Sequence, residues 1–363
     1  MIQFIENVCI VLKSFLCFFC GILVSCVILP SCDTLVKTYT VNFEKEPHLS
    51  DFIFIPVTIN DSVFQFVFDT GASHNLIDSV LAQKMGLNTD STVFCKITRH
   101  ASFMYDTISF AHQNISIGNL KTNGIFAVKE FKGLSLEDIQ LKHGIEAVLG
   151  MEIIGQFNWL FNFSDKTVTV SEDKIKTPTF LDDQILTFAW NGKSGITCVD
   201  LTLDDITIQN VIFDTGYGVC PIQFFDRNEK IDIVFSKTDI EAFNIKRNKQ
   251  NVSVTIPIEE GKVIIFDSLK INNFTMKGIF ALEQKDYYQT IITASFIRRF
   301  RSMYFDSQNK KIHLFASLSD STRNQKKELQ FFCRAINKIA KESRNDSLMI
   351  PASLIDSIWT INQ

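Results

Sequence analysis

Residues 66–73 read Phe66-Val67-Phe68-Asp69-Thr70-Gly71-Ala72-Ser73, and residues 211–218 read Val211-Ile212-Phe213-Asp214-Thr215-Gly216-Tyr217-Gly218. Each is an apolar run with the character of a buried β-strand, broken by a carboxylate, a hydroxyl and a glycine. An acid left unpartnered at the end of a buried strand is costly, so a lone one reads as a cap or turn residue. Here the acid recurs 145 residues later after a matching strand. The repetition reads as a pair of acids, Asp69 and Asp214.

The surroundings repeat as well. Phe52–Ile59 and Val63–Phe68 alternate as a hairpin about Asn60-Asp61, and Val199–Phe213 does so about Asp204-Asp205. Ser73–Leu87 reads as an exit segment and a short helix, with Asp78 as N-cap and Gly86 as stop. A second hairpin, 115–128, is matched in apolar pattern by 269–282, and both contain Gly-Ile-Phe-Ala. Val148-Leu149-Gly150-Met151 is answered by Ile291-Ile292-Thr293-Ala294, while Phe157 and Phe161 are answered 143 positions later by Phe300 and Tyr304. Landmarks in one order throughout mark an internal duplication. The fold class expected is mainly β and two-lobed. The lobes span 51–172 and 185–316, joined by a charged, Pro-containing linker at 173–184. Residues 33–50 are polar and suit a tether. Beyond 316, apolar residues at helical spacing between Gln325 and Glu342 predict a C-terminal helical extension over 317–363.

The 363 residues carry 46% hydrophobic residues, including 34 Phe, enough for two ordinary cores. A net charge of −4, from 36 basic and 40 acidic residues, gives no polyelectrolyte character and argues against a nucleic-acid partner. The densest basic run, Arg298-Arg299-x-Arg301, reads as a solvated edge. Residues 14–32 form an uncharged, apolar stretch long enough for a secretory signal or one spanning helix. Its ending, Leu29-Pro30-Ser31-Cys32, resembles a bacterial lipobox, with Cys32 as the lipidated residue. Leu23-Val24-Ser25-Cys26 matches too, but the apolar run continues past Cys26. An uncleaved anchor helix is the other reading, and both put the globular part at a membrane in the cell envelope, facing the periplasm or exterior. Five of the nine Cys lie at or before Cys32. The remaining four, Cys95, Cys198, Cys220 and Cys333, lack metal-ligand spacing and read as buried thiols or one incidental bridge.

The paired Asp-Thr-Gly segments, with Val148-Leu149-Gly150 between them, resemble the aspartic peptidases, whose active-site loops carry Asp-Thr/Ser-Gly once per lobe or per subunit. The resemblance implies a bilobal acid-protease fold, retropepsin-like in the short spacing of its acids, and an endopeptidase acting on peptide or protein substrates without metal or cofactor. It makes Asp69 and Asp214 the catalytic pair, with a water activated between them. It makes Thr70 and Thr215 cross-linkers of the two loops, and it makes Gly71 and Gly216 the residues that admit backbone N–H groups to the carboxylates. Glycine at 150 implies a close approach to the active-site loop. The segment 98–110 stands about where the family has a mobile flap, with Tyr105 as the candidate flap residue, although an ordinary surface strand fits equally. Two departures carry expectations of their own: Tyr217 should crowd the dyad, and Thr293, in the place of Gly150, should pack the second loop differently.

Other chemistries find little support. Gly192-Lys193-Ser194-Gly195 lacks the spacing of a serine-hydrolase elbow, and the six His are scattered with no His-Glu-x-x-His. Two readings therefore stand: a membrane-tethered aspartic endopeptidase, and an inactive peptidase-like binding or scaffold lipoprotein of the envelope.

Overall fold

The structure, a computed structural model, describes residues 38–42, 52–89, 91–99, 102–131, 147–177, 185–192, 195–217, 231–246, 252–258, 261–284 and 287–316. The apolar segment with Cys32, most of the expected tether, the end of the linker and the helical extension lie outside the described residues. No helix among the described residues is long and apolar enough to cross a membrane.

The first lobe opens with β1 (Thr38–Asn42), followed by the hairpin of β2 (Phe54–Ile59) and β3 (Ser62–Phe68). Its turn places Asn60 and Asp61 at φ 48° and 61°, the left-handed pair that matches the twist of the strands and that short polar side chains tolerate. Then come β4 (Asn75–Asp78) and α1 (Ser79–Lys84). The helix starts where Asp78 accepts a 2.9 Å bond from Val80 N–H. It stops where Gly86, at φ 65°, and Leu87 return their N–H groups to Gln83 and Ala82. Two long strands follow, β5 (Ser91–Arg99) and β6 (Ser102–Ile117), then β7 (Leu120–Lys129), β8 (Ala147–Leu149), α2 (Met151–Ile154), β9 (Asn158–Asn162) and β10 (Thr167–Ser171).

The second lobe repeats this order. It runs β11 (Ile185–Asn191), β12 (Cys198–Leu203), β13 (Ile206–Phe213), β14 (Ile233–Ser236), α3 (Lys237–Lys246), β15 (Val252–Ile258) and β16 (Gly261–Ile271). It finishes with β17 (Phe274–Gln284), β18 (Ile291–Ile292), α4 (Ala294–Ile297), β19 (Ser302–Asp306) and β20 (Lys311–Phe315). The sheet order β2-β3-β8-β4-β7-β6-β5 of the first lobe is matched strand for strand by β12-β13-β18-β14-β17-β16-β15. Even the closing contacts correspond, Thr58 with Ser116 and Leu203 with Ile271, so each lobe curls its sheet towards a barrel. Asp204 and Asp205 adopt φ 44° and 68° at the turn equivalent to Asn60-Asp61.

The lobes meet in a shared sheet of order β1-β10-β9-β19-β20-β11. At its centre β9 pairs antiparallel with β19: Asn162 faces Ser302, Phe161 faces Met303, Leu160 faces Tyr304 and Trp159 faces Phe305. Under the sequence offset of 143, each partner is the counterpart of a residue on β9 itself, so an approximate two-fold axis passes between Leu160 and Phe161. One contiguous apolar core extends across the axis, from Ile55, Phe66 and Trp159 to Phe213, Phe266 and Phe305.

Two expectations change here. Residues 38–42, expected as tether, form β1 and pair with β10 along five positions. They do so because alternating Tyr39 and Val41 pack on the core while the sheet edge at β10 supplies the backbone partners. The described start of the linker is also fixed: Ile175 is buried against Tyr304 and Phe315, and its N–H reaches the Tyr304 hydroxyl at 3.4 Å.

Candidate active site

Both acids are delivered by the same device. β3 runs parallel to β8 and β13 parallel to β18. As each strand ends, the Asp69 N–H bonds to the Leu149 carbonyl at 3.0 Å and the Asp214 N–H to that of Ile292 at 2.9 Å. The preceding rings anchor the strands from below. Phe68 packs edge-on against Trp159 and Phe161, with centroids 5.0 and 4.8 Å away, and Phe213 lies 6.1 Å from Phe188.

The two loops are then tied across the axis by the threonines. Thr70 N–H donates to Thr215 Oγ1 at 3.0 Å, and Thr215 N–H donates to Thr70 Oγ1 at 3.1 Å. Each hydroxyl also crosses over, Thr70 to the Phe213 carbonyl at 2.5 Å and Thr215 to the Phe68 carbonyl at 2.7 Å. Both threonines are fully buried, so these four bonds satisfy groups that have no access to water. Loops 145 residues apart are thereby held in one register.

The glycines face the opposite acids. Gly71 N–H donates to Asp69 Oδ1 and Gly216 N–H to Asp214 Oδ1, both at 2.8 Å. A methyl group on Gly71 would fall 2.4 Å from Asp214 Oδ2, and one on Gly216 would fall 2.2 Å from Asp69 Cγ. Either contact is far inside van der Waals range, so a side chain at these positions would drive the carboxylates apart.

The two carboxyls stand across the axis, each against the glycine of the other loop and near enough to weigh on the other's titration. Burial together with the charge of Asp69 holds Asp214 well above the usual carboxylate range. Asp69 is raised by burial too, against the opposing pull of the Asp214 carboxyl and the amides of Gly71 and Ala72. Two such groups in contact share a proton, and the titration belongs to the pair.

The sequence profile of the Aspartyl protease family matches residues 55–153, the stretch from β2 through the Asp69 loop to α2. The match supports assignment to the aspartic peptidase superfamily. None of the curated proteins compared matches it. The profile covers the first lobe, and the second lobe of this aspartic peptidase fold follows from the repeated strand order.

The loops beside the motif bear out the expected close approach. A methyl on Gly150 would lie 2.3 Å from the His74 carbonyl oxygen, and Met151 N–H bonds to the Ala72 carbonyl at 2.8 Å. In the second lobe Ala294 N–H makes the equivalent bond to Tyr217 at 3.2 Å, so Thr293 leaves this contact in place. The Thr293 hydroxyl turns away to the carbonyls of Ile231 and Asp232. Tyr217 is buried, and its hydroxyl meets that of Tyr287 at 3.0 Å.

Sequence reasoning missed the supports beneath the loops. In the first lobe Asn75 bonds Gly150 N–H through its Oδ1 at 2.9 Å and donates to Glu152 and the Ile125 carbonyl. In the second lobe Asp232 takes that place: it accepts the Phe280 N–H at 2.9 Å and forms a 2.6 Å ion pair with Arg299. Arg299 reaches on to the Gly278 carbonyl at 2.8 Å, and Arg298 stacks over Phe163 at 5.2 Å. Two of the run's three arginines are therefore drawn in from the expected solvated edge, and Arg301 stays exposed. Burial lowers the Arg298 guanidinium to about 10. The clue in the sequence was Asp232 set directly before Ile233-Val234-Phe235, as Asn75 stands before Leu76-Ile77. The expected flap segment is the hairpin of β5 and β6, in register from Ser91 opposite Phe110 to Arg99 opposite Ser102, and β15 with β16 forms its counterpart.

Proposed function

We propose that this chain is an endopeptidase of the aspartic type, with Asp69 and Asp214 as its catalytic pair, tethered to a membrane of the cell envelope through its N-terminal segment. The observation that carries the reading is that two carboxyls from opposite lobes converge at the cross-linked threonines, each backed by the other lobe's glycine. Two carboxylates brought to hydrogen-bonding range repel by roughly 5 kcal/mol at an effective dielectric near 20, so one proton stays on such a pair. The shared-proton dyad is a known property of aspartic peptidases and is taken from that family.

The chemistry then follows from the two protonation states. A water between the acids gives a proton to the ionised carboxylate as its oxygen adds to the peptide carbonyl, and the protonated carboxyl donates to the carbonyl oxygen. Collapse of the tetrahedral diol breaks the C–N bond: the departing amine takes the proton just accepted from water, and a diol hydroxyl returns a proton to the other carboxylate as the C=O re-forms. The Gly71 and Gly216 amides hold the acids in plane, and the threonine cross-links keep the facing oxygens in register. The residues between 14 and 32 support the tether, with Cys32 as the lipidated residue. Mass spectrometry of the mature N-terminus, with Cys32→Ser as control, tests this part independently.

Cleavage is tested with Asp69→Asn and Asp214→Asn against a peptide library. Each variant should lose ~10²–10⁴-fold or more in kcat/KM, the usual worth of general acid–base catalysis. Equal cleavage by wild type and both variants would refute the assignment. Tight binding of a statine-type peptide without any turnover would instead point to a peptidase-like binding module.

A further inference from the structure

We infer that the two sides of the dyad read substrate unequally: the second-lobe side, closed by Tyr217, accepts only a small side chain next to the scissile bond, and the first-lobe side takes the larger one. The inference deepens the peptidase reading and rests on it. Ala72 and Tyr217 are equivalent in position. Each follows the Asp-Thr-Gly, and each accepts through its carbonyl the N–H of the residue after Gly150 or Thr293. The two Cβ atoms are thus set symmetrically about the acids. At this equivalent position one side of the dyad carries a methyl group and the other a phenol.

The phenol is held in place. Its ring stands edge-on to Tyr287, at 88° with centroids 6.3 Å apart, and the two hydroxyls are hydrogen-bonded. Tyr217 and Tyr287 are 9% and 8% exposed, whereas Ala72 remains partly open to solvent at the surface of an apolar cluster with Phe52, Phe54, Phe131 and Val148. Swinging the ring out to admit a large residue would break the hydroxyl pair and expose buried aromatic surface. Among the described residues, the equivalent position on the first-lobe side carries only the methyl group of Ala72.

The test uses two peptides with a hydroxyethylene group in place of the scissile bond, one with Ala before the isostere and Phe after it, the other reversed. Binding to wild type, Tyr217→Ala and Tyr287→Phe is measured by calorimetry, and the cleavage profile of each on a peptide library is read alongside. Wild type should prefer one order by ~10-fold or more, in line with the cost of misfitting groups in a closed pocket. Tyr217→Ala should erase most of that preference. Removing a buried ring also lowers stability, so Tyr287→Phe provides the check in a fold of unchanged volume; freeing the phenol should relax the preference partly. Equal binding of both orders to wild type, or an unchanged preference in both variants, overturns the inference while leaving the peptidase reading intact. Failure of wild type to bind either peptide overturns both.

Discussion

Gly71 and Gly216 answer to the carboxylates opposite them, not to any left-handed backbone requirement. Alanine at either position must push an acid aside, so Gly71→Ala and Gly216→Ala should each cost ~1–3 kcal/mol by overpacking and remove most activity; urea denaturation and peptide cleavage check the two effects. Asp214 has a different signature. Its folded-state pKa lies above the ordinary carboxylate value, so the native chain retains a proton that the unfolded chain has released. Stability therefore falls as pH rises from that ordinary value through the raised one. Asp214→Asn cannot ionise. It should be more stable than wild type near about pH 7, with the advantage shrinking towards about pH 4, as thermal unfolding across that range will show. The motif residues were legible in the sequence because acid, hydroxyl and glycine repeat as a unit. The role of Tyr217 was not, since nothing in its local sequence reveals that Tyr287 stands 3.0 Å from its hydroxyl.

The hairpins and α1 were legible for local reasons: alternation, two polar residues able to take positive φ, an aspartate cap and a glycine stop. What fastens these elements beneath the active-site loops is less regular. The first lobe uses the neutral Asn75 with Glu152, and the second uses a buried ion pair, Asp232 with Arg299. Arg299→Met should destabilise by ~3–5 kcal/mol, because it strands a fully buried carboxylate, and the loss should show as a lower urea midpoint. Asp232→Asn in the same background, restoring the residue type of the first lobe, should recover much of that loss. The basic run misled because charge density in a sequence does not report burial: Arg299 is 12% exposed at its side chain and Arg301 faces solvent.

The lobes share one sheet and one apolar core, with β9 and β19 paired at the two-fold axis. Neither lobe can open fully without exposing the other's edge strand. Unfolding should therefore be a single transition, with far-UV dichroism and Trp fluorescence coinciding; two separated transitions would show that the lobes are held only by their loops. The duplication was visible in the order of landmarks. The entry of β1 into the shared sheet was not, since a short polar strand at an edge takes its identity from the partner it pairs with.

The sequence alone determined the repeated strand, acid and glycine, the turns, and hence a duplicated, mainly β chain of the aspartic peptidase type. These follow from spacing and backbone preference within a few residues. Only the tertiary structure decided that Asp232 meets Arg299 and that the phenol of Tyr217 is locked against Tyr287. Such contacts join residues 67 and 70 positions apart, and no local pattern encodes them. They exist because closing both barrels on one core brings distant polar groups together out of water, where each must find a partner.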